Sequence, residues 1–165
     1  MNTSALTLQR DRTQNTIGET YLKIQLGLKT SAVLSTKHVQ EALVLPAHQL
    51  TPMPNMPACM LGLINRRSRV LWVIDLAQIL GLPNPETSSQ QNSLVLLQVG
   101  SILLALLVKQ IEGIAGFTAE TIQSPPGYVT SALVPYLRGC ILQKQEILLV
   151  LDAEAIVQSP VLSGH

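Results

Sequence analysis

The sequence predicts an all-β protein made of two copies of one small unit, and three observations carry that prediction. The stretch GLINRRSRVLWVIDLAQILG (residues 62–81) reads as two short strands joined by a basic turn and followed by one capped helical turn. Its second strand is an unbroken apolar run rich in β-branched and aromatic residues (Val70, Leu71, Trp72, Val73, Ile74), the composition of a strand buried on both faces. The stretch GCILQKQEILLVLDAEAIV (residues 139–157) then repeats it without a gap, with Gly62 falling on Gly139, Ile64 on Ile141, Arg67 on Lys144, Val73 on Val150 and Asp75 on Asp152. Two copies mark an internal duplication and are too few for a solenoid. Upstream, VQEAL (39–43) resembles QIEGI (110–114), and LTPMP (50–54) resembles IQSPP (122–126). Finally, the proline-spaced residues 46–57 can be neither central strand nor helix. They suit an ordered connection that wraps a small barrel.

In chain order, residues 1–17 are polar, rich in Thr, Gln, Asn and Arg, and aperiodic, so we expect a disordered leader. YLKIQL (21–26) alternates as a half-buried strand does, and GLKT (27–30) turns into a second strand at 31–34. Residues 39–45 stay apolar with Glu41 set inside them, and a carboxylate there needs a cationic partner because an unpaired charge near a core is costly. After the basic turn and its second strand, Asp75 takes an N-cap place, and Gly81 stands where a helix C-terminus favours positive φ. Residues 83–92 are Ser- and Gln-rich, the expected linker between the repeats. The second half opens with a hairpin, 93–99 and 102–108, turning at Gly100 and Ser101. Glu112 follows, between strand residues and the glycines Gly113 and Gly116, and residues 118–136 are turn-rich. Asp152 caps a short helix that runs to Val157, and residues 159–165 form a tail. We therefore expect one domain over 18–158, with a first subdomain mostly in 30–82 and a second mostly in 92–158. The N-terminal strand can join either.

Composition narrows the function. The chain has 165 residues, a net charge of +1, 47% apolar, 13% charged and 3% aromatic residues. The charged fraction is well below the roughly 25% usual for soluble domains, so apolar area must reach the surface, where it usually marks partner-binding faces. Near-neutral balance and few rings argue against nucleic acid, which demands basic stripes and stacking platforms. Cys59 and Cys140 form no CxxC pair and read as buried free thiols of a reducing compartment, with a disulfide left open. The apolar stretch 94–108 is too short for a membrane helix and is interrupted by Gln98, Gly100 and Ser101. No signal-peptide profile opens the chain, and we read it as cytoplasmic. His38 and His48 lie in loop-like segments without a G-x-S-x-G elbow, and the three histidines form no metal-binding spacing. We expect no catalytic, cofactor-binding or metal residues, and no cofactor.

At this point the motifs resemble a known family. Gly62, Ile64, Asn65, Arg67, Val73, Asp75 and Leu76 match the G-x-I-N-x-R…V-x-D-L hallmark of CheW-like coupling domains. The resemblance spans about residues 20–157, with a V-x-E element (Val39, Glu41), the proline-spaced loop, and a closing Y-L-R-G (136–139). It implies two pseudo-symmetric five-stranded β-barrels of SH3-like kind around a shared apolar core. It also implies a non-catalytic adaptor between the regulatory domain of a CheA-type histidine kinase and the cytoplasmic tip of a chemoreceptor. A groove between subdomains would take the receptor's helical hairpin, and an apolar barrel face would pair with the kinase. Neither nucleic acid nor membrane insertion is implied. Glu41 and Arg67 match the family's ion pair, and Val39 and Gly62 fall near its contacts.

The chain departs from the family's pattern at four places. Arg66 stands for the usual Leu, Ser68 for the turn's Gly, Trp72 for a common Pro and Lys109 for an acid. The turn is thereby unusually basic, and we expect its face to suit a more acidic partner. The expected partner-binding residues are Val39, Glu41, Gly62, Asn65, Arg66, Arg67 and Arg69. These departures resemble the CheW-like members of pilus-motility and phototaxis clusters. Two other readings stand beside the adaptor: a β-barrel interaction module outside chemotaxis, such as a detached kinase regulatory domain, and a small enzyme with a pocket between the barrels. Recruitment by a kinase dimer separates the first, and turnover or a bound cofactor the second.

Overall fold

The structure, a computed structural model, describes residues 18–83, 90–127 and 129–163, so the expected leader and most of the 83–92 linker lie outside the described residues. The described strands are β1 (Glu19–Gln25), β2 (Ser31–Ser35), β3 (Val39–Pro46), β4 (Met60–Arg66), β5 (Arg69–Asp75) and β6 (Gln91–Val99). They continue with β7 (Ile102–Val108), β8 (Gln110–Phe117), β9 (Ile122–Gln123), β10 (Leu137–Gln143) and β11 (Glu146–Leu151). Short helices α1 (Leu76–Ile79), α2 (Ala153–Val157) and α3 (Pro160–Ser163) complete the set, the last lying within the expected tail. Two sheets result, ordered β3-β6-β7-β5-β4 and β8-β1-β2-β11-β10-β9.

These two orders are one topology used twice. β3, β4 and β5 correspond to β8, β10 and β11, while β6 and β7 correspond to β1 and β2. In each sheet the long hairpin lies against its neighbour through a parallel pair, β5 with β7 and β11 with β2. The sixth strand of the larger sheet is the two-residue β9, where Gln123 pairs with Cys140, and its counterpart is an isolated bridge between Thr51 and Leu63. The fold is thus all-β with two like units, but the sheets do not divide where the polar linker does. The hairpin of β6 and β7, expected to open the second subdomain, pairs with β3 and β5, and the N-terminal hairpin of β1 and β2 completes the other sheet. Local periodicity shows that a segment is a strand, not which distant strand it pairs with.

The repeat holds in detail. Asp75 N–H donates to the Cys59 carbonyl at 2.7 Å, and Asp152 N–H to the Tyr136 carbonyl at 2.8 Å. Gly62 (φ 153°) and Gly139 (φ 155°) sit at matching register shifts in their hairpins. The proline-bearing connections cross directly over them, so a Cβ on Gly62 would run into the Thr51 carbonyl and one on Gly139 would lie 2.5 Å from the Gln123 carbonyl oxygen. The upstream echo is displaced by one residue, because each unit's first strand carries a bulge. Gln40 is the extra residue in β3 and Glu112 the one in β8, so Glu112 corresponds to Gln40 and not to Glu41.

Strand alternation sorts the apolar residues into three cores. Leu94 and Leu96 join Ile64, Leu71, Val73 and Ala105 inside the five-stranded unit. Tyr21, Val33, Ile141, Leu148 and Val150 fill the other unit, where the Tyr21 ring meets Phe117 at 6.0 Å between centroids. The opposite faces of both sheets, with Val95, Leu97, Ile74, Ile24, Leu34 and Leu151 among them, make one shared core. β5 is therefore buried on both faces at Val73 and Ile74, as expected, whereas Val70 at its start is exposed. α1 packs on β7, and α2 crosses to pack on β6 of the other sheet. α1 ends as its glycine predicts: Gly81 holds φ 72°, its N–H donates to the Gln78 carbonyl, and Leu82 N–H donates to the Ala77 carbonyl. Asp152 accepts from Ala155 N–H at 3.1 Å, a true side-chain cap, whereas Asp75 holds the matching place without a side-chain cap bond to α1. Cys59 and Cys140 are both buried and free, and burial pushes the Cys59 thiol up. Among the described residues no helix is long and apolar enough to cross a membrane.

Candidate partner-binding hairpin

The expected partner residues converge on one rim of the five-stranded unit. Ile64 and Leu71 lie opposite each other and point into that unit's core. Arg66 and Arg69 come two positions further along their strands, also opposite each other, so they occupy the same face where the core gives way to solvent. Glu41 lies opposite Leu96, itself a core residue, and so faces the same rim from β3. β3 and β4 are the two edges of this sheet. A side-chain contact between Glu41 and Arg66 therefore draws the edges together and closes the sheet into a barrel.

That contact is two-pronged. Arg66 donates to one Glu41 oxygen through Nε at 3.2 Å and to the other through Nη2, while Arg67 Nη2 reaches Glu41 Oε2 at 3.5 Å. The ion pair expected for Glu41 and Arg67 is thus chiefly a Glu41–Arg66 pair. Alternation explains the exchange: Arg66 belongs to the strand and points inward, while Arg67 belongs to the turn and is 74% exposed. The hydrogen bonds from Arg66 hold the Glu41 carboxyl below the usual glutamate range, and the same bonds raise the Arg66 guanidinium further. Arg67 and Ser68 are the two central turn residues, with φ of 55° and 65°, the primed hairpin geometry that ordinarily selects Asn and Gly.

The other expected residues play different parts. Val39 heads β3, half-buried against the shared core. Gly62 is buried beneath Thr51, where its role is to admit a crossing backbone. Asn65 is exposed on the outer face, opposite Val70, which is 63% exposed. Val70 belongs to the apolar run expected in the core, but it lies on the outer face beside the hairpin's turn. The second unit's rim carries a charge cluster that its strand pattern did not reveal. Lys23 takes the place that Leu96 holds in the first unit, and its Nζ lies 2.8 Å from Glu146 and 3.8 Å from Glu112. The bond that Lys23 donates to Glu146 raises the Lys23 pKa, so this inward-facing amine stays charged. Beside the shared core, an open cleft runs between Leu82, Pro126, Leu133, Leu142, Ile147 and Leu149. Its lining is mainly apolar.

Two like all-β units around a shared core, with a basic hairpin at one rim, define the architecture. Residues 20–161 match the model of the CheW-like domain, and the chain belongs to the CheW-like family. It is 33% identical over 106 residues to a probable chemotaxis protein CheW of Rhizobium etli, covering 64% of this chain and 68% of that one. It is 27% identical over 119 residues to the chemotaxis protein CheW of Treponema pallidum, covering 70% of each. Its fold is similar to that of the scaffolding protein TtCheW from Thermoanaerobacter tengcongensis, with a TM-score of 0.70 at 19% identity over 81% of this chain and 88% of that one.

Proposed function

We propose that this protein is a cytoplasmic, non-catalytic adaptor that couples a chemoreceptor's cytoplasmic tip to the regulatory domain of a CheA-type histidine kinase. The observation that carries the reading is the family match across residues 20–161, which takes in both units and the hairpin at the first rim. The hairpin presents charge at a fixed place because Glu41 ties β4 to β3. The apolar cleft beside the shared core supports a helical partner, since a helix offers a stripe of side chains of matching character. Titration of the purified protein against its host kinase's regulatory domain, as wild type and as Arg67→Glu, tests the proposal. We expect wild type to bind and the variant to lose binding. Equal binding by both would move the kinase contact away from this hairpin. No binding by folded wild type would overturn the coupling role.

A further inference from the structure

The β4–β5 hairpin is built against its own stability. Arg66 and Arg69 are directly opposed across the antiparallel pair, and like charges in that position repel. Arg67 and Ser68 hold positive φ without glycine, a second local cost. Among the described residues one carboxylate serves the group, and it is committed to Arg66 with Arg67 at 3.5 Å. Among the described residues Arg69 has no ion-pair partner, and it is exposed. The fold does not demand any of this, because the equivalent hairpin of the second unit sets Gln143 opposite Glu146. The chain as a whole is near neutral, yet three of its eleven Lys and Arg residues lie in this hairpin.

We propose that this hairpin reads an acidic patch on a protein partner: Arg67 and Arg69 each engage a carboxylate of the partner, while the Arg66–Glu41 pair stays in place as the base that orients them. A carboxylate pair suits the planar, fork-shaped guanidinium. Nucleic acid does not suit the site, which lacks stacking rings and a basic stripe. The inference rests on the adaptor reading for the identity of the partner and not for the chemistry of the hairpin. It carries an unusual signature: loss of Arg69 should help the free protein and harm the complex.

The test compares wild type, Arg69→Gln and Arg69→Glu by thermal unfolding, by titration with the kinase regulatory domain, and by titration with an oligo-glutamate peptide followed through the arginine side-chain N–H resonances. We expect both variants to unfold at higher temperature, Arg69→Glu more so because it places a carboxylate opposite Arg66. We also expect Arg69→Glu to weaken kinase binding about tenfold and to flatten its salt dependence. Oligo-glutamate should shift the Arg67 and Arg69 resonances of wild type and leave Arg66 in place. If wild type answers the peptide but not the kinase domain, the adaptor reading fails and the acid-reading hairpin stands. Wild-type kinase affinity in Arg69→Glu, a lowered unfolding temperature in either variant, or no response of Arg67 and Arg69 to the peptide would overturn the inference.

Discussion

Single residues fix the geometry of both units, and the two glycines do it most directly. Gly62 and Gly139 were visible as equivalents in the sequence, but their reason was not, because the crossing backbones of Thr51 and Gln123 come from connections earlier in the chain. Positive φ and overpacking each cost roughly 1–3 kcal/mol, so Gly62→Ala and Gly139→Ala should each lose about 2–4 kcal/mol, measured by chemical denaturation. Wild-type stability in either variant would show that the crossing strand gives way. The ion-pair partner of Glu41 was legible only in kind. The need for a cation followed from a carboxylate inside an apolar strand, whereas the choice of Arg66 over Arg67 depends on where the strand stops and the turn begins.

Pairs of elements carry the next level of information. Glu41 joins the two edge strands of one sheet, so its ionisation is linked to barrel closure. Its carboxyl is held below the ordinary value of 4.5 by the Arg66 hydrogen bonds. The stability this contributes is fully present above the unfolded-state value and is lost as pH falls through the lower folded-state value. Glu41→Gln should therefore be less stable than wild type near neutrality, and the gap should close as pH drops below that ordinary value, followed by denaturant unfolding at a series of pH values. A gap that stays constant with pH would mean that the pair adds nothing through its charge. Most strands and the helices α1 and α2 are legible because alternation, β-branched runs and terminal glycines are local signals, whereas α3 falls in the expected tail. Asp75 takes the N-cap place that its match with Asp152 predicts, but without a side-chain bond to α1, because position alone does not decide which partner the side chain takes.

The whole molecule explains what local reading could not. The chain's first hairpin completes the unit built by its last strands, through the parallel pairing of β2 with β11. The duplication is therefore offset along the sequence: the β6–β7 hairpin, which follows the linker, pairs with β3 and β5, which precede it. Such distant pairings form late and slowly in folding because the loop must close before the contacts reward it. The low charged fraction has its cause here too, since three apolar cores, one of them shared, are packed into a short chain. The same architecture gives the proposed adaptor two separate surfaces, the charged rim of one unit and the apolar cleft beside the shared core. The most direct test of coupling is a sedimentation assay with assembled receptor tips, the host kinase and this protein. The proposal predicts that the kinase sediments with the receptor tips only when the protein is added, and less so with Arg67→Glu. Kinase that reaches the receptors equally well in its absence would contradict it.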